Sequence, residues 1–219
     1  MIFVGVHFPK AGGNSLLMAL RERYGDALEW DYEDPPALPQ AQRHMDPDRY
    51  FARRDEPPPN AACIFGHFHP AKYAHLNAVR FTVLREPVNN IVSIYCYLRA
   101  KQPGSILHHY VQREHLSVVE TARLPLLRRL MSDAYFGGVD MGTFDFIGVH
   151  ERRAETNAAL CDLLDLKPFD DVRSNATPPS TEREEIMASA QTMSELRDVL
   201  ADDVRFYERF AGKGLAQSP

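Results

Sequence analysis

Residues 2–20 read as a strand, a glycine-containing loop and a helix, and no other stretch constrains the fold as tightly. Ile2-Phe3-Val4-Gly5-Val6 is short and β-branched enough for a buried strand, and Leu16-Leu17-Met18-Ala19-Leu20 carries helix formers. Between them lies His7-Phe8-Pro9-Lys10-Ala11-Gly12-Gly13-Asn14-Ser15. In such a layout the loop amides and the first helical N–H groups lack partners, and the helix dipole adds positive charge, so a phosphate fits there. Gly12 and Gly13 allow close backbone approach. Asn14 or Ser15 can cap the helix and offer a polar group to an anion, and Lys10 adds a full charge.

The loop differs from the kinase and GTPase pattern, in which the lysine follows the glycines. Here Lys10 precedes them, and the best later strand, Arg80-Phe81-Thr82-Val83-Leu84, runs into Arg85-Glu86-Pro87 rather than an aspartate that would hold magnesium. Pro87 suits the first turn of a helix. Val88, Ile91, Val92, Tyr95 and Leu98 then give that helix a core stripe, with Ser93 off it. Arg85 at a strand's carboxyl end would stand at the mouth of a parallel sheet, where its fork can hold a phosphate.

Taken together, the Pro9-Lys10-x-x-Gly13-x-Ser15 loop and the Arg85…Ser93 pair resemble the sulfotransferases that use 3′-phosphoadenosine 5′-phosphosulfate (PAPS). The resemblance covers about three quarters of the chain. It implies a single α/β domain over 1–212, a central parallel sheet flanked by helices in a P-loop-like arrangement. It also implies a 5′-phosphosulfate loop at Pro9, Lys10, Ala11, Gly12, Gly13, Asn14 and Ser15, and a 3′-phosphate site at Arg85 and Ser93. Each motif alone has a bland reading, as an ordinary turn and an ordinary strand end. Two such loops in the right order, each between a strand and a helix, make coincidence a poor explanation.

Cys63-Ile64-Phe65-Gly66-His67-Phe68-His69-Pro70 reads as a strand that turns out at Gly66. A Gly-His at this place is similar to that of the heparan sulfate 2-O- and uronyl-type sulfotransferases, and implies His67 as the general base. Imidazole suits that task, because its pKa lies near working pH. Position alone does not separate His67 from His69. A structural histidine and a metal pair with Cys63 are the alternatives, and the other histidines show no ligand spacing, so no metal is expected. The implied activity is sulfuryl transfer from PAPS to a glycan or small-molecule hydroxyl. A kinase with a divergent loop and a non-catalytic nucleotide-binding module are the competing readings.

The rest of the chain adds context. Phe144-Asp145-Phe146-Ile147-Gly148-Val149-His150-Glu151-Arg152 resembles the family's late strand, with a helix expected over Glu151–Leu164 and a structural role for the segment. Arg173, Asn175 and Arg183 are candidates to return to the nucleotide, and solvated loop residues are the plainer reading. Residues 29–60 are rich in proline and charge, without periodicity, and read as a long surface excursion that could wall the acceptor pocket. Trp30 and Tyr32 within it could stack on a sugar or fill the core, the core being the simpler place. Residues 104–138 read as a helical insertion whose Arg123, Arg128 and Arg129 form a solvated face or meet an anionic acceptor. Capping-box patterns at Thr181–Glu184 and Thr192–Glu195 predict C-terminal helices, the second running to Gly212, and a disordered tail over 213–219.

Charge and cysteine usage narrow the partners. With 25 Lys+Arg against 30 Asp+Glu the net charge is −5, so no broad basic field invites nucleic acid. Cys63, Cys96 and Cys161 are odd in number and set in apolar segments, which predicts free thiols in a reducing compartment. No apolar run reaches membrane-spanning length. The expectation is a cytoplasmic enzyme, or the soluble catalytic domain of a longer membrane-anchored protein.

Overall fold

A computed structural model describes residues 1–100, 104–169 and 181–215. Five strands, β1 (Ile2–Val6), β2 (Leu28–Asp31), β3 (Cys63–Gly66), β4 (Ala78–Leu84) and β5 (Phe146–Val149), form one sheet in the order β2-β3-β1-β4-β5. Every pairing is parallel. This is the expected α/β fold with a central parallel sheet flanked by helices. Parallel strands need crossovers, and the helices that supply them cover both faces, which is why the strands read as continuous apolar runs.

The period of two along β1 sorts the layers. Val4 and Val6 face a core with Ile64, Leu84 and the buried stripe of α4 (Pro87–Ala100), including Val88, Ile91, Val92 and Leu98. On the opposite face, Leu16 and Leu20 of α1 (Gly13–Tyr24) meet Cys63, Phe65, Phe81 and Phe146, together with Leu160 and Leu164 of α8 (Arg153–Leu164). Gly5 lies on that second face. A Cβ there would sit 2.3 Å from the Phe81 ring and 2.6 Å from Phe65, so the glycine lets these two phenyl rings stack at 6.0 Å across β1.

Several expectations need correction. The 29–60 excursion is not structureless: it begins in β2 and contains α2 (Gln42–Met45) and α3 (Pro47–Ala52). Trp30 does not fill the core. It is 40% exposed, with the Arg21 guanidinium 4.0 Å from its ring centroid. The insertion is helical as read, with α5 (Ile106–Arg113), α6 (Val118–Ala122), α7 (Pro125–Arg128) and a π-helical turn at Leu130–Tyr135. Arg123, Arg128 and Arg129 are exposed, and Arg129 donates to Asp202 at 2.8 Å.

The late helix of the β5 segment starts at Arg153 rather than Glu151, behind a 3₁₀ turn over His150–Arg152. After α9 (Thr181–Ala188), the expected terminal helix is two, α10 (Ala190–Val199) and α11 (Ala201–Phe210), because the chain breaks at Leu200. The Thr192 box does not open α10. Ser189 is the cap, its hydroxyl accepting from Thr192 N–H at 3.2 Å. The chain is seated beyond 212: Ile147 N–H donates to the Lys213 carbonyl at 2.9 Å, and Leu215 packs in the second core. Of the expected tail, 216–219 lie outside the described residues.

Candidate functional site

The carboxyl ends of β1, β3, β4 and β5 all open on one edge of the sheet, and each ends in residues that carry chemistry: His7 to Gly12, His67 to His69, Arg85 and Glu86, and His150 to Arg153. In open α/β sheets this edge is where ligands bind, at the point where connections leave a strand in opposite directions. Here β1 is that strand, since β2 and β3 lie to one side of it and β4 and β5 to the other.

The β1 loop contains two left-handed residues, Lys10 at φ 58° and Gly12 at φ 87°. Gly12 is the helix N-cap and has no side chain to cap with, so neither Asn14 nor Ser15 caps α1; both lie inside its first turn. A left-handed residue followed by a helical one turns successive N–H groups toward one point, an anion-binding concavity. The carbonyls turn outward and are held from outside. Pro9 O accepts from Asn90 Nδ2 at 2.8 Å, Lys10 O from Arg85 Nη1 at 2.9 Å, and Gly12 O from Arg153 Nη2 at 3.3 Å.

Both glycines are crowded by the protein's own side chains. A Cβ on Gly12 would lie 2.0 Å from Arg153 Nη1, and one on Gly13 would lie 2.1 Å from His7 Nε2. The room that the sequence suggested for close approach of a ligand at these carbons is filled by a guanidinium and an imidazole.

The cations converge. Lys10 Nζ is 4.8 Å from the centroid of Tyr97, on the helix that carries Ser93 one turn earlier. Ser93 is buried on α4, whereas Asn14 is partly buried and Ser15 fully so. Burial, then Arg183 and Arg153 nearby, push the Arg85 pKa below its ordinary value, and Glu151 and Glu86 oppose them. Arg183, at the start of α9, is therefore part of the basic group, while Arg173 and Asn175 lie outside the described residues. Arg85 Nε is buried and has no partner among the described residues. Glu86 caps α4, accepting from Val88 and Asn89 N–H at 3.2 and 2.7 Å.

The two candidate histidines are in different situations. His69 is fully buried and both nitrogens are engaged: Nδ1 accepts from Ala71 N–H at 3.2 Å, so Nε2 carries the hydrogen and donates to Gly137 O at 3.0 Å. His67 Nδ1 lies 2.5 Å from the His7 carbonyl. A carbonyl only accepts, so that nitrogen holds the hydrogen, and the lone pair of the neutral ring is on Nε2. Tyr135, delivered by the π-helical turn, places its hydroxyl 3.2 Å from the same Nδ1. Burial lowers the His67 pKa to about 4, against the smaller opposing effect of the His7 carbonyl. His7 stacks on His67 at 4.4 Å between centroids, is itself held well below its usual pKa by burial, and has Nδ1 2.8 Å from the Tyr32 hydroxyl.

Sequence reasoning missed three participants. His150 and Arg153 were read as structural, yet both reach the β1 loop, with His150 Nδ1 3.2 Å from Ala11 O. Asp31 was missed because β2 was, and it is an aspartate at a strand's carboxyl end. It is buried and neutralised there, accepting from Lys72 Nζ at 2.6 Å and Tyr73 hydroxyl at 2.9 Å.

No family model matches the chain, and no curated protein matches it. Among solved structures it is similar to the crystal structure of mouse sulfotransferase SULT7A1 complexed with PAP, with 15% sequence identity and a TM-score of 0.35. That similarity covers 91% of this chain and 74% of the mouse one. A superposition this loose carries no inference about activity. No helix among the described residues is long and apolar enough to cross a membrane.

Proposed function

We propose that this protein is a PAPS-dependent sulfotransferase acting on an acceptor hydroxyl, with a carbohydrate as the first choice of acceptor. The observation that supports the reading is His67, a neutral imidazole whose Nδ1–H is held by the His7 carbonyl and whose lone pair is therefore on Nε2, at the end of β3, the strand beside the one that bears the glycine loop. A base and an anion seat on adjacent strand ends are what in-line transfer to a hydroxyl requires.

The residues fit the nucleotide in kind. The Gly12–Ser15 amides and Lys10 would hold the 5′-phosphosulfate, and Arg85, whose Nε is still unpartnered, with Ser93 would hold the 3′-phosphate. PAPS supplies an activated sulfuryl group, so no metal or covalent enzyme intermediate is required. His67 takes the acceptor proton on Nε2 while its Nδ1–H stays on the His7 carbonyl. Lys10 meets the negative charge that grows on the bridging oxygen as the sulfur–oxygen bond breaks. The competing kinase reading would need a strand-end carboxylate for magnesium, and Asp31, which stands at such an end, is committed to Lys72 and Tyr73.

Calorimetry with 3′-phosphoadenosine 5′-phosphate (PAP) and AMP tests the reading. PAP should bind at least tenfold tighter, because only it reaches Arg85 and Ser93; equal affinities would overturn the assignment. Turnover of PAPS with a panel of sugars and small alcohols then identifies the acceptor class.

A further inference from the structure

Arg153 is the residue of this site that neither motif accounts for. It opens α8 beyond the end of β5, two strands from the one that bears the loop, and its side chain reaches Gly12. Nη2 lies 3.3 Å from Gly12 O and 3.5 Å from Ser15 Oγ, and Nη1 occupies the space that a Cβ on Gly12 would take. A permanent cation therefore rests on the first turn of α1. That is the positive end of the helix dipole, where a cation is disfavoured and an anion is favoured.

Its orientation is also fixed. His150 Nδ1 is 3.1 Å from Arg153 Nη1, and a guanidinium cannot accept, so as its partner this nitrogen must present a lone pair. Burial, then Arg85 and Arg153, hold the His150 pKa below its usual value, which keeps the ring neutral and able to accept. The same nitrogen cannot donate to Ala11 O at the same time, so one of the two contacts gives way to the other.

Resting on the reading above, we propose that Arg153 is the arginine for the 5′-phosphate seated on the Gly12–Ser15 amides, as Arg85 is for the 3′-phosphate. Both arginines then reach the loop from the β4 and β5 side, each already bonded to a loop carbonyl. The anion relieves the unfavourable meeting of guanidinium and helix end.

Affinities of wild type, Arg153→Ala and Arg153→Lys for PAP, 5′-AMP and 3′-AMP test it, measured by calorimetry or by competition. Arg153→Ala should weaken PAP and 5′-AMP about tenfold or more and leave 3′-AMP within about twofold. Arg153→Lys keeps the charge without the fork, and should fall between the two for 5′-AMP while also sparing 3′-AMP. If all three nucleotides weaken alike in either variant, Arg153 is only a brace of the loop and the proposal is wrong. If 5′-AMP is unaffected, it is equally wrong. A wild type that binds AMP as well as PAP would sink the sulfotransferase reading and leave the Arg153 assignment standing on the 5′-AMP data. A wild type that binds none of the three overturns both.

Discussion

Arg85 Nη1 donates to the carbonyl of Lys10 at 2.9 Å, so the arginine expected to recognise one phosphate also fixes the loop expected to recognise the other. Arg85→Ala should therefore lower PAP affinity by tenfold or more, and also reduce the melting temperature by a few degrees. The loop residue that Arg85 holds is left-handed without being glycine, a strained conformation that needs outside support. Calorimetry and thermal melts on one preparation check both effects; loss of binding with no change in melting would deny the bracing role.

Lys10→Ala should reduce turnover more than nucleotide affinity, since the charge it answers develops mainly in the transition state. At rest its ammonium lies 4.8 Å from the centroid of the Tyr97 ring. Steady-state kinetics beside PAP binding separates the two effects, and a variant with full kcat and weakened binding would leave Lys10 as an anchor only.

The histidines separate cleanly. His67→Ala should lose on the order of 10²–10⁴ in rate with PAP binding nearly unchanged. His69→Ala should keep its rate within a few-fold per folded molecule but lose about 2–4 kcal/mol of stability, because a buried ring bonded at both nitrogens is removed. Single-turnover rates paired with denaturant melts decide it, and the reverse pattern would move the base to His69.

Acid should destabilise the fold below about pH 6.5 and increasingly toward pH 4. Burial holds the pKa values of His67 and His69 at about 4, and His7 is also lowered by burial. Between those values and the ordinary 6.5 the unfolded chain binds more protons, so stability rises with pH and is complete above the unfolded value. Each of His67 and His69 contributes about 3 kcal/mol at most over that interval. Melting curves from pH 5 to 7.5 measure the slope, and H69Q should flatten it.

Gly66→Ala should fail to fold or lose several kcal/mol. A Cβ at this position would sit 1.8 Å from the Asp31 carbonyl oxygen, which is backbone and cannot move aside. Soluble yield and circular dichroism report the outcome, and a stable, active variant would contradict the packing of β2 on β3.

What the sequence revealed follows from which interactions are local. The strand, loop and helix of residues 2–24 and the strand and helix around Arg85 were legible because each is written in one continuous pattern. β2 was not, since only four residues form it at a sheet edge, and Glu29 and Trp30 within it face partly outward. His150 and Arg153 stand 139 and 141 residues from the loop carbonyls they approach, a distance no periodicity reports. A signal existed for one of them: like Arg85, His150 directly follows an apolar strand.

The order of the strands also sets when the site can come into being. β1 precedes every other element in the chain but occupies the middle of the sheet, flanked by β3 and β4. As the polypeptide is synthesised, its glycine loop therefore emerges ahead of the residues that hold its carbonyls, and its geometry waits on Arg85, Asn90 and finally Arg153. A ribosome-bound fragment stopped before residue 153 would have the phosphate motif in its sequence without the geometry that gives the motif meaning.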